Sequence, residues 1–238
     1  MAIDSSTARR NAVLSGLDEQ ALALLLPDLH EVPLPLGQVL HEPGKPISAV
    51  HFPLVGVISV VVDLEAGQVV EVATIGREGI VGIAVFLDGG IPAEQSLVQV
   101  PGQALTMTAD DFREHIADID GPLVARLRRS AHASFTQVSR NAACNRVHTV
   151  RQRAARWLLA TADRMGSTGF DLTQHFLAQM LAVRRTSVSE VARFLAEDGC
   201  ITYTRGSIVI TDRPRLQGHA CSCYQAIRRA TDAAMAAR

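Results

Sequence analysis

The chain has 238 residues, of which 47% are hydrophobic and 20% charged, a length that leaves room for two modest cores and a composition that excludes collagenous or wholly disordered proteins. No apolar run reaches the roughly 18 to 20 residues of a membrane span, and the segment from Met1 to Arg10 is polar where a secretory leader is apolar, so a cytoplasmic protein with no membrane contact is expected. The net charge of -1 hides an asymmetry: residues 1–144 carry 9 Lys+Arg and 17 Asp+Glu, net -8, whereas residues 145–238 carry 14 and 7, net +7, so only the second half suits a polyanion. In chain order, Asp18 to Leu26 reads as a short amphipathic helix stopped by Pro27. From Val32 to Thr108 short apolar runs (Val39-Leu40, Val50 to Phe52, Val55 to Val62, Val69 to Ile75, Ser96 to Val100) alternate with Gly, Pro and Asp. That spacing is the pattern of an antiparallel β-roll.

The turn Glu42-Pro43-Gly44-Lys45-Pro46 interrupts the roll, and Ile80 to Leu87 reads as a short helix within it. Helical structure then takes over. Asp110 to Ile116 follows Thr108 or Asp110 as N-cap, and Gly121-Pro122 opens a long helix by fixing its first turn. Leu123, Leu127, Ala131, Phe135, Val138 and Ala142 recur on it at three- and four-residue steps, a seam that suits pairing with a second copy of the helix. Val147 to Met165 is a further amphipathic helix, ended by Gly166 to Gly169.

Phe170 to Asp212 carries the functional signal. Thr173 caps a helix from Gln174 to Leu181 with Leu177, Met180 and Leu181 inward, and the small Ala178 permits a close crossing. After a turn at Ala182-Val183, Thr186 to Glu197 forms a second helix with Val188, Val191, Ala192 and Leu195 inward. Its other side keeps Arg184, Arg185, Thr186, Ser187, Ser189, Glu190 and Arg193, groups that bond base edges and phosphates. Ile201 to Tyr203 and Ile208 to Ile210 form a hairpin with Arg205 at its tip, placed for a phosphate contact. Helix, turn, polar-faced helix and basic hairpin in that order predict a DNA-binding winged helix-turn-helix, with Thr173 at the edge of the contact surface.

The remaining chemistry is sparse. Cys144, Cys200, Cys221 and Cys223 make no CxxC pair, and the Cys221-x-Cys223 pair supplies two soft ligands where a tetrahedral site needs four; no metal site is expected. His41, Glu42 and His51 raise the alternative of a cupin-like metal-dependent oxygenase, but no second ligand motif accompanies them. A ligand sensor acting through a protein partner is a further alternative, which the basic half and the polar helix face oppose. The reading is of a regulator, not an enzyme, and no cofactor is assigned.

The run Leu172 to Val188 (LTQHFLAQMLAVRRTSV), continued by Leu195 to Ile201 (LAEDGCI), resembles the helix-turn-helix of the bacterial Crp/Fnr family. His51-Phe52-Pro53, Gly56 and Gly76-Arg77-Glu78-Gly79 resemble landmarks of that family's cyclic-nucleotide-binding β-roll. The resemblance implies an α+β fold: an antiparallel β-roll of the double-stranded β-helix type (1–120), a dimerisation helix (121–145) and a winged helix-turn-helix (146–238). It also implies a homodimer on duplex DNA, contact with RNA polymerase, and a small-molecule effector or other signal received in the roll near Gly79, Gly82, Ile83, Glu94 and Ser96. Two departures stand out. Cyclic-nucleotide-binding members have Gly-Glu and a downstream Arg beside the phosphate, whereas here Ile83 follows Gly82 and neither Lys nor Arg occurs from Glu78 to Phe112, so cyclic-AMP binding is expected to be lost. Arg185 is followed by Thr186 where many members have Glu, which implies a different DNA sequence. The iron-sulfur branch's N-terminal cysteines are missing, and His41 and His51 in the roll read as structural histidines, with a haem ligand as the lesser alternative.

Overall fold

A computed structural model of the chain describes residues 3–64, 68–118, 120–204 and 206–236, with the backbone alone at Gln68. Three short helices come first, α1 (Ser5–Ala8), α2 (Ala12–Ser15) and α3 (Glu19–Leu25), capped by the side chains of Asp4, Asn11 and Asp18, which accept from backbone N–H groups one turn on. The third is the helix expected from the sequence; the first two are too short for apolar periodicity to reveal.

The roll consists of β1 (His30–Leu34), β2 (Val39–His41), β3 (Ala49–Leu64), β4 (Gln68–Ile75), a single helical turn α4 (Ile83–Phe86) and β5 (Gln95–Thr108). They form one antiparallel sheet in the order β1-β5-β3-β4, with β2 also paired to β5. The apolar runs at Val50 to Phe52 and Val55 to Val62, separate in the sequence reading, are one bent strand whose register shifts three times against β5. The bend needs glycine twice. Gly56 has φ 105°, and a Cβ on Gly102 would lie 2.0 Å from the Val55 carbonyl oxygen, so the two backbones touch where β3 and β5 bend together.

Thr108 caps α5 (Ala109–His115), accepting from the Asp111 N–H. The Phe112 ring meets Phe52 at 6.4 Å between centroids, in a core shared with Leu22, Leu105 and Leu127. The long helix α6 (Pro122–Val147) closes this core from outside. Gln137 Nε2 donates to Thr74 O (3.1 Å) and Asn141 Nδ2 to Val72 O (2.9 Å), so polar residues fasten the middle of α6 to the backbone of β4. Among the described residues no helix is long and apolar enough to cross a membrane.

Thr149 and Gln152 form a reciprocal capping box at the start of α7 (Val150–Met165). Then come β6 (Gly169–Asp171), α8 (Gln174–Met180), α9 (Arg185–Glu197), β7 (Ile201–Thr204), β8 (Ser207–Ile210), α10 (Arg213–His219) and α11 (Cys223–Ala236). The sheet order β6-β8-β7 adds a third strand to the expected hairpin. Trp157, Leu158, Leu177, Leu195 and Ile208 fill the core beneath it, and Val61 of β3 joins the same cluster, so the roll and the C-terminal part share apolar contact. Finally α11 returns along α6 and α7.

Candidate nucleic-acid interface

The helix pair forms for local reasons. The Thr173 hydroxyl accepts from the Phe176 N–H (3.1 Å), starting α8. The turn is tight: Ala182 takes φ 49°, and the Val183 N–H donates to Ala178 O (3.0 Å). Leu177, Ala178 and Met180 face inward, and so do Val188, Ala192 and Leu195. Arg184, Arg185, Thr186, Glu190 and Arg193 are thereby left exposed along one side of α9, and Ser187 is half-buried.

Two of the expected contact residues are committed inside the motif. The Ser189 hydroxyl donates to Gln174 Oε1 (2.6 Å) and also lies 3.1 Å from Arg185 O, so it ties α9 to the start of α8. The sequence reading counts Ser189 with the outer face; the residue is half-buried and its hydroxyl is engaged within the motif. The Thr173 oxygen is likewise engaged as the α8 cap, although the residue is exposed.

The far end of α9 is held by groups that no local pattern signals. His219 Nε2 donates to Asp198 Oδ2 (2.8 Å) and Arg215 Nη1 donates to Asp198 O (2.7 Å). The hydrogen bond from His219 holds the Asp198 carboxyl below its usual range. Phe194 lies between the Arg151 guanidinium, 4.6 Å from its ring centroid, and the edge of His219 at 5.4 Å. At the near end, Arg184 occupies the N-cap without a side-chain hydrogen bond to the helix, so the first N–H groups of α9 and two guanidinium groups emerge together. Such an end favours an anion. In the wing, Tyr203 Oη donates to Leu172 O (3.2 Å) and ties β7 to the base of α8; Arg205 lies outside the described residues.

The six seam residues of α6 divide. Leu123 and Leu127 are buried in the roll's own core, 4% and 0% exposed, which removes them from any surface that a second helix could meet. Phe135 and Val138 are 72% and 41% exposed, with Ala142 exposed and Ala131 half-buried beside them. The correction has a clear cause. Beyond Ala131 the inward side of α6 is the polar one, Gln137 and Asn141, so its apolar residues point away from the chain.

Of the expected effector residues, Gly82 and Ser96 both adjoin His41, and Gly79 lies apart from them. Gly82 has φ 97° and precedes α4, with His41 and Val50 each 3.1 Å from where a Cβ would stand. Ile83 and Glu94 are half-buried, and Ser96 is buried on β5 opposite His41 and Val60. Gly79 instead borders a small space of about 20 Å³ against α6 and α11. A cavity of about 300 Å³ lies at the junction of β4, α6, α7 and α11, lined by Glu78, Gln137, Arg156, Arg164, Tyr224 and Arg228 among others. Arg164 crosses it, with Nε donating to Glu78 (2.7 Å) and Nη2 to Thr74 O (3.1 Å).

The oxygenase alternative fails on geometry. Glu42 is exposed and paired with Lys45 (2.6 Å), and among the described residues it forms no candidate ligand group with the two histidines, whose ring centroids are 5.8 Å apart. His41 Nε2 donates to Ala49 O (2.9 Å). Burial, with His41 beside it, lowers His51 to about 4, and its Nδ1 has no partner among the described residues.

Comparison with known proteins gives the same assignment. Residues 152–218 match the Crp-like helix-turn-helix domain. The chain is 24% identical over 214 residues to the CRP-like cAMP-activated global transcriptional regulator of Mycobacterium tuberculosis, covering 87% of this chain and 95% of that one. Its fold resembles FixK2 from Bradyrhizobium japonicum (TM-score 0.70, 16% identity, 82% of this chain and 98% of that one). It also resembles a putative transcriptional regulator of the crp/fnr family from Eubacterium rectale (TM-score 0.66, 16% identity, 87% and 96%). With an antiparallel roll, a long helix and a winged helix-turn-helix in one chain, the protein has the fold of Crp/Fnr-type transcriptional regulators and carries a Crp-like helix-turn-helix domain at residues 152–218.

Proposed function

We propose that this DNA-binding regulator acts as a homodimer that lays α9 in the major groove of each half of a two-fold-related site. The observation that carries the reading is the outer side of α9: Arg184, Arg185, Thr186, Glu190 and Arg193 are exposed together at and beyond an uncapped helix start. In this reading Arg185 bonds a guanine edge, Glu190 accepts from cytosine N4, Thr186 and Ser187 supply hydroxyls, and Arg184 and Arg193 meet phosphates. Thr173 approaches the backbone from the start of α8, and Arg205 is assigned to a phosphate beside the wing. The net +7 of residues 145–238 supports the electrostatic part.

The second copy covers Phe135, Val138 and Ala142, with Ala131 at the edge of the seam. Exposed apolar residues on consecutive turns of one helix favour such a partner. The division into an effector unit (1–120), a dimerisation helix (121–145) and a DNA-binding unit (146–238), contact with RNA polymerase, and a cytoplasmic location belong to the same reading.

The M. tuberculosis relative is described as cAMP-activated. In this chain, residues 79–112 contain neither Lys nor Arg, and a buried phosphodiester requires a cation or a cluster of donors. The signal received near Gly79, Gly82, Ile83, Glu94 and Ser96 is therefore assigned to something other than cyclic AMP, and calorimetry with cyclic AMP and cyclic GMP should show no tight binding. Selection of bound fragments from randomised duplexes tests the main reading. Recovery of a two-fold-related sequence is the expected result, and recovery of unrelated fragments opposes it.

A further inference from the structure

The sequence offers two thiols in Cys221-x-Cys223, and the fold brings two more ligands to them. Cys144 lies on the last turns of α6, and His148 is that helix's C-cap, one turn on. A chain separation of 77 residues disappears where α11 begins: Cys144 Sγ and Cys221 Sγ are 3.4 Å apart, and Cys223 Sγ is 3.8 Å from His148 Nδ1. All four ligand atoms lie within 4.8 Å of one another, and the three cysteines are buried. A tetrahedral zinc ion with Zn–S of about 2.3 Å separates its ligand atoms by about 3.8 Å. The cluster has that size and needs only small side-chain rotations to enclose an ion.

We propose that Cys144, His148, Cys221 and Cys223 form a Cys₃His site for one zinc ion, joining the end of the long helix to the start of the C-terminal helix. The surroundings point the same way. Three thiolates and a neutral imidazole around Zn²⁺ leave a net charge of -1, which a buried site must offset. Arg153 and Arg156, each 7% exposed, interact electrostatically with these sulfur atoms. The Nε of each has no hydrogen-bond partner among the described residues. Two buried cations with idle donors beside a group of thiols are suited to an anionic metal centre.

The placement gives the ion a mechanical task. Two residues before Cys221, His219 bonds Asp198 at the end of α9. Zinc would therefore connect the far end of α9 to the long helix through a few residues of α10 and α11. The second trio of candidate ligands, Asp198, Cys200 and His219, is already engaged in that hydrogen bond and in the Cys200 to Asp198 contact, and it provides an internal control.

The full chain, purified with reductant, loaded with zinc and freed of excess metal by gel filtration, should retain one zinc per chain by elemental mass spectrometry. Cys144→Ser and Cys221→Ser should each lose it while keeping the wild-type circular-dichroism spectrum. Cys200→Ser should keep it. Cobalt(II) in place of zinc should give thiolate charge-transfer and tetrahedral d–d bands in the wild-type chain, a readout that does not depend on the variants folding. A wild-type chain that retains no zinc, zinc retention unaffected by Cys221→Ser, loss of zinc with Cys200→Ser, or an octahedral thiolate-free cobalt spectrum would each overturn the proposal.

Discussion

The indole Nε1 of Trp157 donates a 2.9 Å hydrogen bond to the Glu71 carboxyl, joining the first helix of the DNA-binding part to the floor of the β-roll. Glu71 is buried, and that burial raises it from 4.5 to about 7 against the opposing pull of Ser59, Arg156, Trp157 and Arg164. The hydrogen bonds agree with a protonated acid. Ser59 Oγ lies 2.9 Å from Glu71 Oε2 and 2.6 Å from Gln99 Oε1, and one hydroxyl proton cannot serve both acceptors. A proton on Glu71 lets it donate to Ser59, which then donates to Gln99.

Because the folded state holds this proton up to about pH 7 and the unfolded chain releases it near its ordinary value, the unfolded state binds fewer protons between those limits. Stability therefore falls as pH rises through that window. Glu71→Gln imitates the protonated acid. Urea unfolding should show the variant more stable than wild type at pH 8, by on the order of 2 kcal/mol, and nearly equal to it at pH 5. A difference independent of pH would show that Glu71 is ionised throughout.

The two halves of the α6 seam should respond differently. Leu127 is fully buried, and Leu127→Ala should cost about 2 to 5 kcal/mol in chemical denaturation. Phe135 is 72% exposed, so Phe135→Glu should leave unfolding of the single chain little changed and convert dimer to monomer in analytical ultracentrifugation. A dimer that survives Phe135→Glu at micromolar concentration would place the interface elsewhere.

Ala182 in the helix-turn-helix turn has φ 49°, a conformation that costs an L-residue roughly 1 to 2 kcal/mol and glycine almost nothing. Ala182→Gly should raise stability by about 0.5 to 1 kcal/mol after the entropy that glycine gains in the unfolded chain. Thermal unfolding that shows a loss would mean that the methyl group's packing outweighs the strain.

Zinc affinity should respond to Arg156 even though it touches no metal. Arg156→Met leaves Cys144, His148, Cys221 and Cys223 in place and should weaken retention about tenfold to a hundredfold in chelator competition. Unchanged affinity would show that the guanidinium does not balance the charge of the cluster.

How much of this was legible depended on whether the relevant contact was local. The helix-turn-helix reads directly from Thr173, the spacing of Leu177, Val188 and Leu195, and the polar run that starts at Arg184, because each signal lies within a turn or two of its consequence. The α6 seam was half legible: periodicity shows which residues share a side of a helix but not what covers it, and the hydrogen bonds of Gln137 and Asn141 to β4 reverse the expected direction beyond Ala131. The third strand β6, the return of α11 along α6 and the meeting of Cys144 with Cys221 were not legible, since each joins segments distant in the chain. Two local hints of the cluster were present: the Cys221-x-Cys223 pair, and the i, i+4 spacing of Cys144 and His148 at a helix end.

Fluorescence anisotropy on the wild-type chain and Arg185→Ala, with the selected duplex and a scrambled one over a series of salt concentrations, tests the placement of α9 most directly. The variant should lose about 1 to 3 kcal/mol on the selected site and little on the scrambled one, while wild-type affinity for both falls steeply with salt. Equal binding of both duplexes by the two proteins, or no binding by the wild-type chain at low ionic strength, would contradict the assignment of α9 to the groove.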